Sequence, residues 1–181
     1  LRERIEQSAA FGVERVITFS GFRRGISDED GIANMVAGLK EIVGFAEQKK
    51  VTVCIEMLNS RVATEMKGHP DYFCDSMERT VEICRQIGSE RCKVLFDLYH
   101  VQIMHGDVIS RIRQHRDYIA HVHTAGVPGR GELGEDQELN YPALMKALIE
   151  IGYTGFVGQE FIPVKEDKIA ALAHGVKVCD V

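Results

Sequence analysis

Residues 50–58 read KVTVCIEML, and the fold turns on this stretch. Its apolar residues run almost continuously instead of alternating with polar ones. That pattern marks a strand buried on both faces, the habit of parallel sheets covered by helices. Working outward, similar runs recur on either side. RVITFSG (15–21) precedes it, and CKVLFDLYH (92–100), YIAHVHTAG (118–126) and TGFVGQEFIP (154–163) follow. The segments between them carry helical spacing. Ile32, Val36, Leu39, Val43 and Ala46 share one face of a helix over 30–50, with Asp28 or Asp30 as its N-cap. Pro70 is expected to open a helix carrying Phe73, Met77, Val81 and Cys84 and ending near Gly88. Asp107 caps a short helix through Arg116. Asn140 and Pro142 start another, which Gly152 ends, and residues 165–178 form a closing helix. Five strands alternating with helices, at about 35 residues per unit, imply an α/β fold with a parallel sheet and crossover helices.

The 181 residues are 45% hydrophobic and 27% charged, an ordinary globular composition read as a single domain over 1–181. It excludes a disordered tail and a collagen-like fibre, and no apolar run approaches the roughly 18 residues of a membrane span. Formal net charge is −5, from 22 basic and 27 acidic residues. Such a chain lacks the long-range field that draws proteins to nucleic acid or anionic lipid, so neither is expected as a partner. Cys54, Cys74, Cys84, Cys92 and Cys179 form no C-x-x-C pair, which favours a reduced, cytoplasmic setting over a disulfide framework. The opening LRERIEQSAAFG repeats Ile5, Ala9 and Val13 every four residues with no capping residue before them. It reads as a helix already under way, and the chain is expected to begin mid-fold.

Four of the predicted strands carry a metal-capable side chain at or near their C-terminal end: Glu56, Asp97, His123 and Glu160. Their separations of 41, 26 and 37 residues match one strand–helix unit each. In a parallel α/β sheet these ends lie on one face, where ligands bind. Curling the sheet brings the four side chains together. Three carboxylates and an imidazole would then repel and titrate abnormally unless a cation joined them. Oxygen-rich ligands with one histidine suit Mn²⁺ or Mg²⁺, and Co²⁺ or Zn²⁺ also fit. The bland alternative, four separate strand-end residues paired locally, has to explain the regular spacing as coincidence.

IEMLNSRV, FDLYHVQIMHGD, PGRGELGEDQELNYP and GYTGFVGQEF together resemble hydroxypyruvate isomerases and their relatives in the xylose-isomerase-like TIM barrel superfamily. The resemblance is densest from residue 51 to 163. It implies a (β/α)8 barrel of which strands four to eight are present, an N-terminally truncated arrangement whose first strand, 15–21, exposes a raw edge. It implies one divalent cation held by Glu56, Asp97, His123 and Glu160. It also implies substrate-binding roles for His100, three residues after the aspartate, and Arg130, after the seventh strand. Many such isomerases have glutamine where this chain has His123, whereas ketose epimerases have histidine.

The activity implied is an intramolecular oxidoreductase reaction of the aldose–ketose type on a small hydroxy-keto acid or sugar. Proton transfer would pass through an enediolate, with Glu56 and Glu160 as the catalytic pair and the cation stabilising charge on oxygen. A ketose 3-epimerase is the nearest rival. An endonuclease IV-like nuclease needs a three-metal cluster and a phosphate-binding surface, which the charge of −5 disfavours. A non-catalytic fragment that aggregates or dimerises is a third class, and homo-oligomer formation stays open. Of the other candidates, His121 is expected to pack behind His123, two residues on along the same strand face. His69, His105, His115, His174, Glu132 and Glu138 are expected in solvent, as are Arg23 and Arg24. Arg61 is evenly balanced between solvent and an acidic substrate.

Overall fold

The structure, a computed structural model, describes residues 1–181. Five strands, β1 (Arg15–Thr18), β2 (Thr52–Glu56), β3 (Cys92–Asp97), β4 (Ile119–Thr124) and β5 (Val157–Gln159), pair in chain order and all in parallel. Seven helices accompany them: α1 (Arg2–Ala10), α2 (Asp28–Lys49), α3 (Met77–Ile87), α4 (Leu98–Met104), α5 (Val108–Gln114), α6 (Tyr141–Glu150) and α7 (Lys168–Cys179). The alternation of strand and helix is as the sequence predicts. No helix is long and apolar enough to cross a membrane.

The main core lies between the sheet and the helices. Val53, Ile55, Val94, Phe96 and Val122 point outward from the strands onto Leu39, Met77, Ile83, Leu144 and Leu148. The alternate residues form the inner face, and the register aligns them: Ile17 with Cys54, Glu56 with Leu95, Leu95 with His121, Asp97 with His123. A β-bulge between Val94 and Leu95 and their β4 partners makes this alignment. Val94 pairs with Ile119 but Leu95 with His121, so Ala120 is the extra residue. Without it, Asp97 would face Val122, because a one-residue slip exchanges the faces of a strand. The sheet is strongly curved. Glu56 and Glu160 are three strand spacings apart, about 14 Å in a flat sheet, yet their carboxylate oxygens lie within 4.8 Å. β1 and β5 are the two free edges. Beneath the inner face a cavity of about 610 Å³ is lined by Ile17, Cys54, His121 and Phe156, with Ile17 and Phe156 exposed.

Local chemistry shifts several boundaries. The run CKVLFDLYH is not one strand: β3 ends at Asp97 and α4 begins at Leu98, because the Asp97 carboxylate caps the helix by accepting the His100 N–H at 3.0 Å. A short apolar run does not by itself separate strand from helix. Pro70 opens no helix. α3 starts at Met77, where the Ser76 hydroxyl accepts the Arg79 N–H, and residues 59–76 form a long loop instead. Ser27, not Asp28 or Asp30, caps α2, accepting the Asp30 N–H while three acidic residues occupy the first turn. β5 is only three residues long.

Two glycines of α2 make a test of this packing. Gly31 is buried, and a Cβ placed there would sit 2.1 Å from the Phe73 ring, whereas Gly38 is exposed with nothing within 4 Å. Gly31→Ala should lower stability by about 1–3 kcal/mol through overpacking. Gly38→Ala should raise it by up to about 1 kcal/mol through helix propensity. Urea denaturation of both variants checks the difference in sign.

Candidate metal centre

Glu56 ends β2, Asp97 ends β3, His123 lies near the end of β4, and Glu160 follows β5, its N–H still bonded to the Thr124 carbonyl. One ligand atom from each comes within 4.8 Å of all the others. Glu56, Asp97 and His123 are buried, while Glu160 stands half-exposed at the rim. His123 Nδ1–H donates to Glu160 Oε2 at 2.9 Å and lies 3.5 Å from Glu56 Oε1. Gly158 pairs with His123 in register, and a Cβ there would press the His123 ring at 3.0 Å, so glycine leaves room for the imidazole. His121 packs edge-on behind His123 with ring centroids 4.9 Å apart, in the supporting place expected of it.

Arg130 reaches the cluster from the loop after β4. Gly126 approaches Gly131 so closely that a Cβ would lie 2.4 Å from the Glu132 carbonyl, and the turn returns Arg130 to the site with φ of 59°. Its guanidinium, almost fully buried, donates to Glu160 Oε2 and to the Met66 carbonyl, lies 3.6 Å from Asp97 Oδ2, and sits over the Tyr99 ring. His100, in the first turn of α4, is fully buried with Nε2 3.8 Å from Asp97 Oδ2. A cavity of about 350 Å³ opens above, with Glu56, Arg130 and Glu160 at its polar end and Phe19, Phe22 and Met66 as apolar walls.

Other residues depart from expectation. His69 is half-buried and lines this cavity instead of facing solvent. His115 is buried, and His105 Nε2 accepts the Met77 N–H. Glu132 is buried too, its carboxylate accepting the N–H groups of Val164 and Lys165 and so tying the Arg130 loop to the segment after Glu160. Arg23 is not a free loop residue, since it pairs with Asp28 at the start of α2. Arg24, His174 and Glu138 are exposed, and Arg61 donates to the Ile103 carbonyl. Asn59, which sequence reasoning passed over, contacts His100; its place three residues beyond Glu56 was the available signal.

The charges of the cluster shift one another strongly. Burial opposes charge on His123, but the Glu160 and Glu56 carboxylates override it and hold the imidazole up to about 10. Burial works against the Glu160 carboxylate as well, yet His123 and Arg130 hold it down to about 2. Asp97 is pushed upward by burial and then by the charges of Glu160 and Glu56. Burial, reinforced by Arg130, drives His100 down to about 2, so its ring is neutral. Four buried polar atoms of the cluster lack any hydrogen-bond partner, Glu56 Oε1, Asp97 Oδ2, His100 Nε2 and Arg130 Nε, and His121 Nδ1 behind them lacks one too. Buried polar groups are rarely left so, and the two orphaned oxygens belong to the ligand group. The donor set of three carboxylates and one imidazole therefore fits a divalent cation.

A model of the xylose isomerase-like TIM barrel family matches residues 1–179. The chain belongs to that family. It is similar to the 2-oxo-tetronate isomerase of Cupriavidus necator, 32% identical over 160 residues, covering 88% of this chain and 59% of the relative. It is 28% identical to the hydroxypyruvate isomerase of Escherichia coli K12 over 139 residues, 77% of this chain and 51% of that one. The chain thus spans between half and three-fifths of the length of these curated relatives. Among solved structures, an AP endonuclease of family 2 from Brucella melitensis superposes with a TM-score of 0.81 at 26% identity, covering 97% of this chain and 68% of that one. A D-psicose 3-epimerase from Clostridium cellulolyticum gives 0.79 at 19% identity, a likeness of fold, over 99% of this chain and 69% of that one.

Because His123 carries a proton below about pH 10 in the cation-free site, a divalent cation that takes Nδ1 has to expel it. Apparent Mn²⁺ affinity should therefore rise with pH, by at least about tenfold per unit between pH 6 and 8, and more steeply where the raised Asp97 carboxyl also sheds a proton. Calorimetric titration in buffers of different ionisation enthalpy should show proton release; a pH-independent affinity would contradict this assignment of His123.

Proposed function

We propose that the protein is a metal-dependent isomerase of small hydroxy-keto acids or sugars, most like hydroxypyruvate isomerase, with one divalent cation held by Glu56, Asp97, His123 and Glu160. The observation that carries the reading is the convergence of those four ligand atoms within 4.8 Å beside a cavity of substrate size. The isomerase names of the relatives support it. Mn²⁺ or Mg²⁺ suits the oxygen-rich set best. When bound, such a cation neutralises the carboxylates and polarises carbonyl and hydroxyl oxygens.

The chain's own groups then divide the work. Aldose–ketose isomerisation moves a proton between adjacent carbons. A carboxylate takes the proton from the carbon beside the carbonyl, and the C–H electron pair moves into the carbon framework as charge develops on the carbonyl oxygen. The proton then returns to the former carbonyl carbon, while the hydroxyl proton of the first carbon passes to the former carbonyl oxygen, so that carbonyl and hydroxyl exchange places with no net gain or loss of protons or electrons. Glu56 and Glu160 both border the cavity and form the candidate pair. Glu56 Oε1 is free of hydrogen bonds, whereas Glu160 is held by His123 and Arg130. Arg130 balances the negative cluster and presents its guanidinium to an anionic substrate at the cavity wall. His100, neutral and buried, faces the same centre. Phe19, Phe22 and Met66 offer the reacting carbons apolar walls.

A ketose 3-epimerase is the second reading, favoured by two carboxylates bordering one cavity, the arrangement that removal and return of a proton on opposite faces requires. A nuclease with a three-metal cluster has less support, since the single group here offers four ligand atoms. The cytoplasm is kept as the site of action because all five cysteines are free thiols, four of them buried.

Metal content after dialysis, with turnover of hydroxypyruvate and of ketoses in Mn²⁺, tests the proposal. About one retained cation per chain is expected, lost in Glu160→Gln, with turnover lowered by about 10²–10⁴-fold in that variant. Faster conversion of ketoses than of hydroxypyruvate would select the epimerase. A folded protein that retains no divalent cation would overturn the metal centre, leaving a non-catalytic fragment as the better description.

A further inference from the structure

We propose that Asn59 is a positioning residue that sets the tautomer of His100, so that this histidine turns an Nε2–H donor toward the candidate metal centre. The tautomer follows from hydrogen bonding alone; its catalytic consequence rests on the isomerase reading above.

Asn59 is fully buried, and its backbone N–H donates to His100 Nδ1 at 3.0 Å. Its side-chain Nδ2 lies 2.7 Å from the same ring nitrogen. The orientation of the amide is set by two other partners. Oδ1 accepts the Val62 N–H at 3.0 Å, and Nδ2 donates to the Lys67 carbonyl at 2.8 Å. Turning the amide over would set oxygen against the Lys67 carbonyl and NH₂ against the Val62 N–H, losing both bonds. Nδ2 therefore faces the histidine, and Nδ1 meets two donors.

A nitrogen facing two donors has to accept. Hydrogen on Nδ1 is excluded, which removes both the imidazolium and the Nδ1–H tautomer and leaves hydrogen on Nε2. That atom is buried without a partner and lies 3.8 Å from Asp97 Oδ2, itself without a partner. The donor thus has no acceptor within the protein, and an oxygen brought into the centre would meet it, whereas an N–H or ammonium group there would not. Proton removal and return stay with Glu56 and Glu160.

The loop that carries Asn59 is drawn tightly around it. The His69 N–H donates to the Asn59 carbonyl at 2.8 Å, and a Cβ on Gly68 would fall 2.6 Å from Asn59 Oδ1 and 2.2 Å from the Val62 carbonyl. The loop's course is what delivers the amide to the ring.

Long-range ¹H–¹⁵N correlation spectra of the full 181-residue chain, free of metal, read the tautomer directly. The His100 signals are assigned by their loss in His100→Gln. The expected pattern is an unprotonated, pyridine-type Nδ1 and a protonated, pyrrole-type Nε2. Asn59→Asp replaces the side-chain donor by an acceptor and leaves the backbone N–H of residue 59 as the one remaining donor on Nδ1, so the Nδ1–H population should rise. With Mn²⁺ and hydroxypyruvate, kcat of that variant should fall by about 10–100-fold with a smaller change in KM. An unprotonated Nε2 in the wild type overturns the proposal, as does a folded Asn59→Asp that keeps the wild-type pattern. If Asn59→Asp does not fold, the wild-type spectrum still decides. Absence of turnover in the wild type alongside the expected spectrum would count against the isomerase reading and leave the tautomer assignment standing.

Discussion

Mutual repulsion among the carboxylates of Glu56, Asp97 and Glu160 is the constraint around which the rest of the structure is arranged. Water screens such charges at a surface, but Glu56 and Asp97 are buried, where repulsion is little screened and an uncompensated charge is costly. In the cation-free site two positive groups relieve it. His123 holds a proton that an isolated histidine would lose near neutrality, and Arg130 inserts its guanidinium against Glu160 and Asp97. A divalent cation held by the four residues would replace the histidine's proton and relieve the repulsion more fully. On this reading the site exchanges proton for metal, and Arg130 is the fixed part of its charge balance.

Bringing these charges together requires three independent devices of the backbone. Strand curvature shortens the distance from Glu56 to Glu160. The bulge at Ala120 puts His121 and His123, not Val122, on the inner face with Leu95 and Asp97. The change from strand to helix at Asp97 lets one carboxylate cap α4 through Oδ1 while Oδ2 faces the cluster. That same cap places His100 in the first helical turn, its ring between Asn59 and Asp97. Loops supply the remainder. Residues 59–69 hold the histidine from one side, and the turn through Gly126 and Gly131 carries Arg130 in from the other. Rigid strands carry the ligands and stitched loops carry the orienting groups, a division common to parallel α/β folds.

Much of this was legible in the chain. The apolar runs revealed five strands in a parallel sheet, because burial on both faces leaves no room for alternation. The regular interval between Glu56, Asp97, His123 and Glu160 placed them at corresponding strand ends, and the structure brings those four together. The boundaries were less legible. CKVLFDLYH reads as one strand, yet its last apolar residues, Leu98 and Tyr99, belong to a helix, and only a carboxylate turned back onto its own backbone marks the change. By sequence His115 and Glu132 belong in solvent, each being polar and outside a strand, yet both are buried. Burial is decided by what packs over a residue from elsewhere in the chain, and composition does not carry that information.

The sequence by itself determined the alternation of strands and helices, the parallel sheet and the residue types of the candidate metal group. Those depend on local periodicity and on residue type at a repeated position. Only the tertiary structure decided which atoms meet: the Ala120 bulge that turns His123 inward, the engagement of Arg130 with Glu160, and the two Asn59 donors that meet His100 Nδ1. Each joins segments far apart in the chain through hydrogen bonds a few ångströms long. Such contacts exist only once the sheet has curled and its loops have closed over the strand ends.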